Sequence, residues 1–288
     1  MNVSEMSGNF PVSSHEMTSG KCHFVLDSLV RENIKRLAPY TSARHQHKKE
    51  EGLLFDANEN AFGSLVTPPF PLDLNRYPDP YAVSLKKSLS AFLKVKPEKL
   101  FIGVGSDEVI DLLIRVFVAP DEEILTFDPT YGMYRVSADI SGVGVRSCPL
   151  DDRFQIDLSR FDQEVSAKTK IVFCCSPNNP TGNLLDENTI ERLCKRFRGI
   201  VVLDQAYVEF SSGSSLLKKL DSLPNLVLLR TFSKAWGLAG LRVGYAITSP
   251  EIVAYLNKIK APYNMNVISA YLAEKARWKS FNPTRNHG

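Results

Sequence analysis

The 288-residue chain predicts an α/β fold built on a mainly parallel, seven-stranded sheet between helices. Three observations carry that expectation. Seven short apolar runs (100–104, 123–127, 143–147, 170–175, 200–204, 226–230 and 243–247) alternate with stretches of helical periodicity. Buried strands separated by helices give a sheet covered on both faces. Polar and glycine-containing motifs follow several of these runs directly, at the carboxyl ends of strands where open sheets bind ligands. The length suffices for at least one large core, with room for a second domain.

The remaining elements follow from the punctuation of the chain. Residues 1–25 read as a disordered tail: they lack a basic start leading into an apolar stretch and carry Glu5 and Glu16, unlike a secretory or transit signal. Residues 26–65 form an amino-terminal arm, with an amphipathic helix over 26–38 stopped by Pro39. His45 and His47 lie in a charged run through Glu51 and read as solvated surface, because a metal site normally needs a fuller ligand set. A proline-stiffened connection covers 67–71 and 77–81, and a helix is expected over 82–94. The large domain spans 66–265. Residues 266–288 begin a linking helix, from Val267 to about Lys279, and end in an atypical tail.

Composition narrows the function classes. Lys plus Arg total 35 and Asp plus Glu 32, a formal charge of +3, so nothing calls for nucleic acid or a membrane surface. No apolar run reaches the roughly 18 residues of a membrane span. The five cysteines, Cys22, Cys148, Cys174, Cys175 and Cys194, lack metal-ligand spacing and read as reduced thiols of a cytoplasmic protein.

The chemistry concentrates in four places. Thr231-Phe232-Ser233-Lys234 leads into the glycine- and arginine-bearing turn through Arg242 and Gly244. An amine is nucleophilic only as the neutral base, so such a lysine needs desolvation or a nearby cation, and Arg242 offers both a cation and a fork for phosphate. Val201-Val202-Leu203-Asp204 ends an apolar strand on an acid, which is costly unless a cationic partner meets it; otherwise Asp204 caps a turn. Gly103-Val104-Gly105-Ser106-Asp107 passes from strand to helix, where first-turn N–H groups attract an anion. The competing reading there is a helix capped by Ser106 or Asp107, and Glu108 occupies the third glycine position of a dinucleotide fingerprint. Pro177-Asn178-Asn179-Pro180-Thr181-Gly182 follows another strand and on composition alone is a turn.

Taken in order, Asn179, Asp204, Lys234 and Arg242 are spaced by 25, 30 and 8 residues. The pattern resembles the aminotransferases of the pyridoxal phosphate family with the aspartate aminotransferase type of fold (fold type I), and within it the histidinol-phosphate aminotransferases. Leu54 to Gly63, Asn75 to Pro80 and Ala261 to Asn264 are similar to further signatures of that family. The resemblance runs from about Leu29 to about Ala273. It implies pyridoxal 5'-phosphate carried on Lys234 as catalytic residue, Asp204 at the ring nitrogen, and Asn179 and Tyr207 at the ring hydroxyl. It further implies Tyr131 stacked on the ring, and Arg242, Thr231, Ser233 and the backbone of Ser106 and Asp107 at the phosphate. Tyr77 would reach the phosphate of a neighbouring subunit, hence a homodimer, whereas Tyr134 reads as core. The implied reaction exchanges histidinol phosphate and 2-oxoglutarate for imidazole acetol phosphate and glutamate, a late step of histidine biosynthesis.

Two departures from the family accompany these matches. Gln205 stands where the family usually has Glu. The family continues into a small carboxyl-terminal domain with substrate-gripping arginines, whereas Trp278 to Gly288 do not resemble it, so a truncated product with an intact cofactor core, exposed apolar surface and impaired turnover is expected. Other readings stay open: an aromatic aminotransferase, a phosphothreonine-type decarboxylase, or a chain acting only as a dimer partner.

Overall fold

A computed structural model describes residues 77–212 and 214–276. The expected tail, the 26–38 helix, the histidine pair, Cys22, the 54–63 signature, the 67–71 connection and residues 277–279 of the expected linking helix lie outside the described residues.

The chain enters through helix α1 (Val83–Leu93). There follow strand β1 (Leu100–Val104), helix α2 (Gly105–Phe117), β2 (Glu123–Asp128), α3 (Met133–Ser141), β3 (Gly144–Pro149) and α4 (Leu158–Glu164). Next come β4 (Thr169–Cys175), α5 (Glu187–Arg196), β5 (Ile200–Asp204), β6 (Leu226–Thr231), β7 (Val243–Ile247), α6 (Pro250–Ile259) and α7 (Val267–Lys275). All seven strands join one sheet in the order β1-β7-β6-β5-β4-β2-β3. The β2–β3, β2–β4, β4–β5 and β5–β6 pairs are parallel, whereas β7 runs antiparallel to both of its neighbours. That reversal brings the start of β7 to the edge where the other strands end.

Side chains alternate across the sheet, as the two-residue strand period requires. Ile171, Phe173, Val202, Val227 and Leu229 enter one core with residues of α2, α3 and α6. Val172, Cys174, Val201, Leu203, Leu226 and Leu228 enter the other, with residues of α1, α4, α5 and α7. Both faces are therefore covered, which accounts for strands that read as unbroken apolar runs.

Helix starts follow local chemistry. Asp157 accepts from the amides of Ser159 and Arg160, Asp186 from those of Asn188 and Thr189, and Asn266 from that of Ser269, each satisfying donors that an early helical turn cannot. Ser249 caps α6, with Pro250 at its first position. Cys148, Cys174, Cys175 and Cys194 are buried free thiols; Cys174 packs in the second core, while Cys175 faces Asp204. No helix of the described residues is long and apolar enough to cross a membrane.

Candidate active site

The carboxyl edge of the sheet collects the motif residues. At its centre Asp204, the last residue of β5, is 2% exposed. Its Oδ1 accepts the amide N–H of Ala206 at 3.0 Å, and its Oδ2 accepts the hydroxyl of Tyr134 at 2.8 Å. Asp204 thus does cap the following turn, and it also meets a second donor that the turn does not need. Burial pushes its carboxyl up to about 6, against these two hydrogen bonds and the Lys234 ammonium, which pull it down.

Lys234 sits one turn beyond β6, in a tight loop closed by the bond from the Gly237 amide to the Lys234 carbonyl, 3.0 Å. The loop is pinned by buried side chains on either side, Phe232 and Trp236, whose rings lie 5.7 Å apart. Half-buried, the lysine holds its Nζ 5.6 Å from the centre of the Tyr207 ring.

The part of the edge around Arg242 is made largely of backbone. Gly105 opens α2 at φ +74 and donates its N–H to the Arg242 carbonyl at 2.8 Å. A Cβ at Gly105 would come within 2.6 Å of the Arg242 guanidinium, and one at Gly244 within 2.3 Å of the Ser106 amide nitrogen. Only glycines allow this approach of strand, helix and arginine. The expected cap at Ser106 or Asp107 is not found: Val104 holds the cap position without a side-chain bond, and Glu108 reaches back to the Val104 amide at 2.6 Å. Ser106 and Asp107 therefore lie in the first turn, where amides have no carbonyl one turn back. Arg242, half-exposed, lies 3.4 Å from Asp107, whose other oxygen accepts the Tyr131 hydroxyl at 3.1 Å. Thr231 and Ser233 join the same end, their hydroxyls 3.0 Å apart and both buried.

The asparagine pair divides its labour. Asn178 is buried and builds the turn, donating to the Pro129 carbonyl at 2.9 Å and Thr181 at 2.7 Å while accepting from Thr130 at 3.1 Å. Asn179 is only half-buried and takes no part in that bracing.

Tyr134 is core, as read from the sequence, with no exposed surface, its ring stacked on Phe173 at 4.6 Å. Sequence reasoning missed its hydroxyl. The available signal was its nearness to Tyr131: the two rings meet edge to face at 5.6 Å where the chain enters α3. On the opposite face of the sheet, the Gln205 amide oxygen accepts from Arg230 Nε at 3.0 Å, both side chains buried. A carboxylate at 205 could accept the same bond, so the amide retains the contact and omits a charge. Tyr77 lies apart from this cluster, 82% exposed and stacked on Tyr263 at 4.7 Å.

Comparison with known proteins shows the family to which the chain belongs. The family described as aminotransferase class I and II matches residues 72–278. The histidinol-phosphate aminotransferase of Cytophaga hutchinsonii is 49% identical over 254 residues, covering 88% of this chain and 72% of that protein. The protein of the same name from Bacteroides thetaiotaomicron is 46% identical over 246 residues, covering 85% and 69%. The crystal structure of histidinol-phosphate aminotransferase from Sinorhizobium meliloti in complex with pyridoxal-5'-phosphate superimposes with a TM-score of 0.74 at 25% identity, over 90% of this chain and 72% of that one. The chain belongs to the class I and II aminotransferases, and within them to the histidinol-phosphate aminotransferase family.

Proposed function

We propose that the chain transfers an amino group between histidinol phosphate and 2-oxoglutarate with pyridoxal 5'-phosphate held on Lys234. The observation that carries this reading is the meeting, at one sheet edge, of a buried carboxylate, a loop-borne lysine and a glycine-lined helix start beside an arginine. Those groups suit the cofactor chemically. The buried carboxylate of Asp204 suits a cationic N–H; the close approach that Gly105 and Gly244 allow sets the Arg242 guanidinium beside the first-turn amides of α2, a combination that favours an anion.

When bound, the cofactor supplies an aldehyde for amines and a protonated ring that draws electrons from the bond being broken. Lys234 Nζ would hold that aldehyde and, when free, would serve as the base that moves a proton between the donor's Cα and the cofactor's former aldehyde carbon across the shared nitrogen. Asp204 holds the proton on the ring nitrogen. Asn179 and Tyr207 orient the ring hydroxyl, and Tyr131 covers one ring face. Arg242, the hydroxyls of Thr231 and Ser233, and the Ser106 and Asp107 amides bind the phosphate. Tyr77 reaches the corresponding phosphate of a second copy, so the working unit is a homodimer of a cytoplasmic enzyme. Residues 66–265 serve as the cofactor-binding domain.

The test is amino transfer from histidinol phosphate to 2-oxoglutarate, followed as glutamate formation, together with a visible absorbance that borohydride bleaches. The wild type should show both, and Lys234→Ala should show neither. An unchanged spectrum in that variant contradicts the reading.

A further inference from the structure

We propose that Tyr134 is a positioning residue for Asp204: its buried hydroxyl fixes the carboxylate's orientation and keeps it anionic, ready for a cationic ring N–H. The inference rests on the function proposed above, but its first test does not require the cofactor.

The geometry gives the Tyr134 hydroxyl a specific acceptor, Asp204, with the Cys175 thiol beside it. The Tyr134 ring needs no hydroxyl to pack, since its stack on Phe173 and its edge contact with Tyr131 are made by carbon atoms. Its oxygen nonetheless reaches Asp204 Oδ2 at 2.8 Å, in a region where both side chains are almost fully buried. Burial and the adjacent carboxylate hold the phenol well above its ordinary range, so it stays a neutral donor. The other donor, the Ala206 amide, is fixed to the far oxygen by the turn itself. Together the two bonds clamp both carboxylate oxygens, from the turn after β5 on one side and α3 on the other. A lone amide would leave the carboxyl free to turn about its bond to the Cβ. Three further groups face this carboxyl from neighbouring elements: Cys175 at the end of β4, Asp107 on α2, which disfavours its charge, and Lys234 after β6, which favours it. Of all these, only Tyr134 can be altered by removing a single atom that has no packing role.

The charge balance gives the direction of the effect. Asp204 in the folded chain is raised to about 6, chiefly by burial, from an ordinary 3.8. Between those values the folded chain keeps on Asp204 a proton that the unfolded chain has lost, so this group's contribution to stability falls as pH rises through the window and is flat above it. Loss of the Tyr134 hydroxyl removes a stabiliser of the carboxylate and carries the fall to higher pH.

The experiment compares unfolding of the cofactor-free chain from pH 4 to about 8.5 for wild type, Tyr134→Phe, Asp204→Asn and the double variant. In Tyr134→Phe the fall should continue beyond the wild-type edge, and both Asp204→Asn chains should lose the part due to Asp204 and coincide with each other, keeping only that of buried Glu209, which burial likewise raises. Coincident edges in wild type and Tyr134→Phe overturn the proposal. Should Tyr134→Phe fail to fold, difluorotyrosine placed at 134 keeps the shape and strengthens the donor, and the edge should then move to lower pH; an unmoved edge overturns the proposal equally. With pyridoxal phosphate added at pH 7, Tyr134→Phe should bind about tenfold more weakly. It should also release more protons on binding, read from heats in two buffers of different ionisation enthalpy. Weaker binding with an unchanged proton count contradicts the proposal and indicates a merely structural tyrosine. Should the wild type fail to bind pyridoxal phosphate, the proposed function falls, while the cofactor-free comparison still decides the role of Tyr134.

Discussion

The two ends of the site are built on opposite principles. At the proposed ring end a charged side chain, Asp204, is sunk to 2% exposure and held by a phenol and a turn amide. At the proposed anion end stand first-turn amides and an arginine whose side chain is 49% exposed, arranged over glycines. The ring end thus carries a standing electrostatic cost that depends on pH. The anion end avoids that cost by using neutral backbone dipoles, and it depends instead on close approach of main chains and on salt. A site assembled this way should lose function at its two ends by different routes.

The sharpest contrast comes from shape. Gly244→Ala would place a Cβ 2.3 Å from the Ser106 amide nitrogen and 2.4 Å from the Gly105 carbonyl carbon, and backbone cannot swing aside as a flexible side chain can. It should cost roughly 3 kcal/mol in chemical denaturation, with little dependence on pH. A fully stable alanine variant would show that the helix start has room to shift.

Asp204→Asn probes the other end and should do the reverse. Because the carboxyl is raised to about 6, removing it should relieve about 3 kcal/mol of instability at neutral pH and almost nothing near pH 4, while weakening the cofactor's hold. A pH-independent stability difference would break the contrast between the two ends.

Arg242→Ala should weaken pyridoxal phosphate binding by roughly tenfold at low salt, and by less as salt is raised, because the guanidinium is half in solvent. Titration of the cofactor at two ionic strengths measures this. A loss independent of salt would mean that the arginine acts through packing.

The smallest effect is expected on the far face. Gln205→Glu keeps an acceptor for Arg230 Nε and adds a charge beside a buried guanidinium, so stability should change by less than about 1.5 kcal/mol. A larger loss would identify the neutral amide as a requirement of this chain.

Much of this architecture was legible in the residues. The seven apolar runs fall within one or two residues of the observed strands, because strands buried on both faces cannot hide their composition. The order Asn179, Asp204, Lys234 and Arg242 translates into one edge because each residue follows or ends a strand, or precedes the reversed β7. That reversal was not legible, since an apolar run carries no direction. Nor was the split between Asn178 and Asn179, which depends on contacts with Pro129 and Thr130 nearly fifty residues away. Tyr134 shows the limit most clearly. A tyrosine on the inner face of an amphipathic helix reads as core, and it is core; what its one polar atom touches, 70 residues on, only the packing of α3 against β5 reveals.

The central claim is that Lys234 is the amine that carries the cofactor. Borohydride reduction of the protein loaded with pyridoxal phosphate, followed by proteolysis and mass spectrometry, tests it directly. The account predicts a phosphopyridoxyl group on the peptide containing Lys234, in proportion to the bleached absorbance. The same group on another lysine, or bleaching that leaves Lys234 unmodified, would contradict it.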